Sequence, residues 1–150
     1  MTEFNKYQED LNTPFTEKTS RKLVGHLNKK EAHQVTAVDA TLHLWMADFD
    51  GQIGDAFVQA GTICAGAGES MSFDLQKNGV SILSAPIVLE TATHLAAVLY
   101  EILSLIATAN RSFVKGDVFT TVLDYTAGGG PTPGLNHKMV VEFSTGPYKE

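Results

Sequence analysis

Five histidines, one cysteine and seventeen carboxylates are the side chains of this 150-residue chain that could hold a metal or move a proton. Metal capture needs ligands spaced so that one element turns them to one side, as in HxH, HxxxH or HExxH. His26, His33, His43, His94 and His137 show none of these spacings. His43 stands two residues before Trp45 in a strand-like run and reads as a surface or inter-sheet histidine. Asp48, Asp50 and Asp55 around Gly51 faintly resemble an oxygen-rich calcium loop. The later bidentate Glu is missing, so they read as turn carboxylates that cap backbone N–H groups. Cys64 lies in Gly61-Thr62-Ile63-Cys64-Ala65 with no charged neighbour to favour its thiolate, and reads as a small core or loop residue. No GxSxG elbow occurs, and Gly128-Gly129-Gly130 lacks the Lys-Ser/Thr of a phosphate-binding loop. Asp74 and Asp124 are a carboxylate pair that folding could bring together, but outward-facing acids on a solvated sheet are the ordinary case. The expectation from these residues is a binding or structural module: no enzyme, no cofactor and no metal.

The elements that must carry these residues are strands. Ala40, Leu42, Leu44 and Met46 alternate with Thr41, His43 and Trp45, the period of two of a half-buried strand. Asp48-Phe49-Asp50-Gly51 reads as a turn, followed by a short run through Ile53, Phe57 and Val58 to Ala60, then a glycine-rich connection. Met71, Phe73 and Leu75 point one way and Ser72, Asp74 and Gln76 the other. Asn78-Gly79 then separates this run from Val80–Leu83. Asn-Gly between alternating runs predicts a hairpin, because both central residues of a type I′ turn need positive φ. Ile87–Leu89, Val118–Tyr125 and Met139–Phe143 are further strands. His94–Ala107 is apolar and compatible with a helix or a buried strand; its surroundings favour a strand over Ala97–Leu103. About eight short strands punctuated by turns predict an all-β, antiparallel sandwich or barrel.

Composition agrees with one soluble domain: 43% of residues are hydrophobic and 19% charged. No apolar run approaches the roughly 20 residues that span a bilayer as a helix. Met1–Asp10 is polar and is not read as a secretory signal, and a single cysteine excludes an intramolecular disulfide. The net charge of −6 is uneven. Residues 1–32 hold six basic and five acidic side chains, and residues 33–150 hold five and twelve. An acidic body does not suit nucleic acid, whose phosphates call for a basic face. The stretch Lys18–Lys30 has five positive side chains and no carboxylate, which suits contact with an acidic protein surface. Residues 1–32 have no sustained periodicity and are expected to form an N-terminal arm, with the sandwich occupying 33–150.

Several motifs bear a resemblance. Gly66-Ala67-Gly68-Glu69-Ser70-Met71-Ser72-Phe73-Asp74-Leu75-Gln76-Lys77-Asn78-Gly79-Val80-Ser81-Ile82-Leu83 is similar to a stretch of small jelly-roll proteins from the structural modules of tailed phages. Ala47–Ile53, Lys115-Gly116-Asp117-Val118-Phe119 and Asp124–Gly134 resemble the approach strand, turn and pre-terminal loop of the same modules. The resemblance covers about residues 40–143; such modules occur as capsid decoration (cement) proteins, head fibres and tail or receptor-binding tips, and the chain is read as a decoration protein. It implies a jelly-roll-like sandwich on the capsid exterior of the virion, made in the host bacterial cytoplasm. The implied partners are the major capsid protein and copies of the chain itself, with no nucleic acid and no membrane. It supplies no catalytic residues.

Within that reading, an extended arm of about 30 residues spans roughly 100 Å, enough to reach neighbouring coat subunits. Lys18, Arg21, Lys22, Lys29 and Lys30 would supply its charge, and Phe4, Tyr7, Phe15 and Leu23 its anchors. Leu95, Val98, Leu99, Ile102 and Leu105 exceed the apolar need of one small sandwich and are expected at a homodimer or homotrimer interface. The alternative is a receptor- or glycan-binding tip of a tail or head fibre, using the Ala127–Leu135 loop with Trp45 or Tyr125 as a stacking platform. A hydrolase on the same scaffold would need a carboxylate pair or a metal triad.

Overall fold

The computed structural model describes residues 27–91, 93–128 and 134–145. Among these described residues, ten antiparallel strands make two five-stranded sheets packed face to face. Sheet 1 has the order β1 (Leu27–Thr36), β10 (Leu135–Ser144), β3 (Gly51–Thr62), with β7 (Tyr100–Glu101) and β8 (Ser112–Phe113) sharing the far edge of β3. Sheet 2 has the order β2 (Ala40–Met46), β9 (Val118–Thr126), β4 (Ser70–Lys77), with β5 (Val80–Ser81) and β6 (Ile87–Leu89) on β4. The first strand therefore lies beside the last, the second beside the second-last, and the short strands fill the remaining places. This is the jelly-roll-like sandwich expected from the sequence.

Alternation builds the best-defined elements. Met71, Phe73 and Leu75 of β4 and Phe119 and Leu123 of β9 turn inward and are fully or almost fully buried, with Phe73 opposite Leu123 in the ladder. Asn78 and Gly79 take φ of 54° and 82°, the positive pair that a type I′ turn requires. Asn78 also clamps the next hairpin: its Nδ2 donates to Asp117 Oδ1 at 2.9 Å and its Oδ1 accepts Val118 N–H at 2.9 Å.

Two bulges break the alternation. The β2–β9 register shifts between His43 and Trp45, so Leu44 and Trp45 are both buried and Met46 is 57% exposed. The expected inward set that ended on Met46 is thus corrected: the extra residue turns the strand over, as a bulge does. Trp45 enters a cluster with Phe49, Phe113, Phe119 and Phe143, its ring 4.4 Å from that of Phe143 and edge-on to Phe113 at 5.5 Å. A second shift lies between Glu142 and Phe143 on the β10–β3 ladder.

Three expectations are revised. The arm does not extend to residue 32, because Leu27–Ala32 form the first half of β1 and pair with β10 from Leu27↔Ser144 onward. That strand has no apolar face of its own, and its partner β10 holds it. Lys30 sits on its inward side, half-buried, where a charge on an edge strand opposes pairing with a further chain. β3 runs to 12 residues rather than stopping short. The segment 94–107 is neither a continuous strand nor a helix. It is a connection with φ of 62° at Ala97, two residues of β7, and a 3-10 turn at Leu103–Leu105. Ile102 and Ile106 are fully buried, and the Arg111 guanidinium binds the carbonyls of Ile106 and Leu103 at 2.9 and 3.1 Å.

Candidate interaction surfaces

The register of sheet 1 fixes what its outer face displays. Lys29, Glu142 and Asp55 align across β1, β10 and β3; so do Glu31, Val140 and Phe57; so do His33, Lys138 and Gln59. All of these point away from the core, since the residues between them on each strand are the inward ones. Val140 and Phe57 thus form an apolar centre, and Leu99 from the connection before β7 joins them. Together they floor a shallow depression of about 300 Å³ rimmed by Lys29, Glu31, Lys138 and Glu142. Lys29 Nζ lies 3.7 Å from Glu142 and Lys138 Nζ 3.6 Å from Glu31. Gln59 Nε2 donates to the Ala97 carbonyl at 2.9 Å and pins the connection that presents Leu99.

The outer face of sheet 2 is different in kind. Thr41, His43, Thr120, Asp124, Ser72, Asp74 and Gln76 line it. Asp124 lies opposite Ser72 and Asp74 opposite Val122. The two carboxylates are therefore diagonal neighbours, roughly 7–8 Å apart on such a ladder. Asp74 already accepts from the Ser81 hydroxyl at 2.6 Å.

At one end of the sandwich a polar group is enclosed. Glu69 is buried, its Oε1 accepting the Gly66 N–H at 2.9 Å and its Oε2 the Tyr125 hydroxyl. This bond, with burial, pushes the Tyr125 phenol up to about 12. Nearby His137 on β10 has no exposed surface, and among the described residues neither ring nitrogen has a hydrogen-bond partner. Burial and the neighbouring His33 pull its pKa down to about 4. Gly134 is packed so closely on this ring that a Cβ there would stand 2.6 Å from Nε2. Cys64 is buried beside it, its thiol pushed up chiefly by burial. At the opposite end the turn carboxylates are spent on the backbone: Asp50 accepts Lys115 N–H at 2.8 Å and Asp117 accepts Val114 N–H at 3.0 Å. The Asn78 amide and that backbone bond hold the Asp117 carboxyl below its usual range. Among the described residues no group of three or more His, Cys, Asp or Glu is placed to hold a metal ion.

The residues expected to carry function are scattered by the fold. Phe4, Tyr7, Phe15, Lys18, Arg21, Lys22 and Leu23 lie outside the described residues. Lys29 and Lys30 belong to the sheet rather than to an arm. Of the expected oligomer contacts, Leu95, Val98 and Leu99 are exposed (69%, 39% and 51%), whereas Ile102 is wholly in the core and cannot reach a partner. Leu105 is half-buried and packs against the core. Trp45 is equally unsuited to stacking on a glycan, being 7% exposed within its aromatic cluster. Phe57 and Val140 were missed in the sequence; only the register of three paired strands brings them side by side. Comparison with protein-family models, with curated proteins and with solved structures gives no match.

Proposed function

We propose that the chain is a non-enzymatic structural protein of a phage particle. In this reading it is a decoration protein that binds the outer surface of the major capsid protein shell and stabilises it. The observation that carries the reading is the way the chain enters the sandwich. The basic stretch Lys18–Lys30 leads into an edge strand that is laddered along its whole length to β10, from Leu27↔Ser144 to Thr36↔Leu135. Tension directed along β1 from the residues before Leu27 would load that ladder in shear, across many hydrogen bonds at once. Such an anchor suits a body that ties shell subunits together. Multiple copies on a repeating lattice make modest single contacts sufficient. The resemblance of the motifs quoted above to phage structural modules is what suggests the particle and the partner.

Deleting residues 1–26 tests the reading. The account expects a folded protein that no longer cosediments with purified shells, while the full chain does. Equal shell binding by both would contradict it. The fibre-tip alternative loses support from the burial of Trp45 and from the engagement of the Tyr125 hydroxyl with Glu69.

A further inference from the structure

We propose that the outer face of sheet 1 is the surface on which two copies of this chain associate, as an isologous dimer centred on Val140. The proposal goes beyond the reading above and holds whether or not the protein sits on a capsid. A net charge of −6 makes two copies repel each other on approach. The depression on sheet 1 is where that repulsion is most reduced, because its rim sets two lysines among two glutamates, with Asp55 and Glu101 farther out on the same face. Sheet 2 offers no such place: its outer face bears Asp74 and Asp124, with no lysine or arginine among the outward-facing strand residues described.

The charges on sheet 1 are also placed for self-recognition. Lys138 and Glu142 flank Val140 at equal distances along β10, two residues on either side, or about 7 Å each way. A two-fold axis lying in the interface and crossing β10 at Val140 reverses the strand direction of one copy. Each Lys138 then lies over the other copy's Glu142, and Val140 and Phe57 meet their own counterparts. This is the self-complementarity that a C2 interface requires. Two sheet faces packed in this way sit about 10 Å apart, and exposed Leu99 extends the apolar contact at the β3 margin. The same rotation brings Glu31 toward its counterpart, but each Glu31 is held by its own Lys138 at 3.6 Å on the edge strand. Glu101 is drawn aside by the Ser104 N–H at 2.9 Å.

Sedimentation velocity of the full chain over a concentration series tests this. The expected result is a concentration-dependent dimer that Val140→Asp weakens by about 100-fold, with the variant still folded by circular dichroism. Lys138→Glu and Glu142→Lys should each weaken it about tenfold, and the fourfold swap K29E/E31K/K138E/E142K, which keeps both ion pairs within each copy, should recover the dimer. A wild-type chain that stays monomeric overturns the proposal, as does a dimer insensitive to Val140→Asp or a fourfold variant that is not rescued. A monomer whose Val140→Asp variant loses shell binding would overturn it by giving this face to the coat protein.

Discussion

His137 is the residue at which the fold is most exposed to acid. Its imidazole is buried, with both nitrogens unpaired among the described residues, and burial keeps it neutral down to about pH 4, against an ordinary value of 6.5. The unfolded chain therefore binds a proton that the native chain refuses. Stability is complete above pH 6.5 and falls as pH drops from there toward 4, by about 3 kcal/mol over the whole window. Urea denaturation of the wild type at pH 7 and at pH 4.5 should show most of this loss. His137→Leu removes the titrating group and two unpaired buried nitrogens. The variant should be at least as stable at pH 7 and should lose the slope between pH 6.5 and 4.5. An unchanged slope would mean that another group governs the acid limit. None of this could be read from the sequence, because a histidine in Gly134-Leu135-Asn136-His137-Lys138 carries no mark of its burial.

Strands with one apolar and one polar face were legible, and elements whose faces are mixed were not. β4, the Asn78-Gly79 turn and β9 follow from alternation and from a dipeptide whose backbone needs are unusual. Gly79→Ala puts a Cβ on a residue at φ of 82°. It should cost about 1–2 kcal/mol by chemical denaturation without changing the fold. A neutral substitution would mean that the clamp between Asn78 and Asp117 sets the turn alone. The bulge at His43–Trp45 was hidden because periodicity has no way to show an inserted residue. β1 was hidden because it borrows its place from β10; outward Lys29 and Glu31 find partners only across the ladder. The connection at 94–107 was misleading in the opposite sense. Its apolar residues divide between the core, at Ile102 and Ile106, and the surface, at Leu95 and Leu99. A helix would set all four on one stripe; the chain instead breaks at Ala97, with φ of 62°, and again at the turn Leu103–Leu105.

At the scale of the whole molecule, the boundary at Leu27 separates two truncations that the sequence alone would treat as one. Removing residues 1–26 spares the β1–β10 ladder, and the melt should match that of the full chain. Removing residues 1–32 strips half of β1 and uncovers β10, and should lower stability markedly or abolish folding. The jelly-roll-like body and its two unlike faces are properties of the structure; the capsid is the proposal built on them. That proposal is tested most directly by the copy number of this chain in purified particles of any phage whose genome carries its sequence, measured by quantitative mass spectrometry against that particle's major capsid protein. The account predicts hundreds of copies per particle, in fixed proportion to the coat subunits. Its absence from the particle, or presence at only a handful of copies, would contradict it.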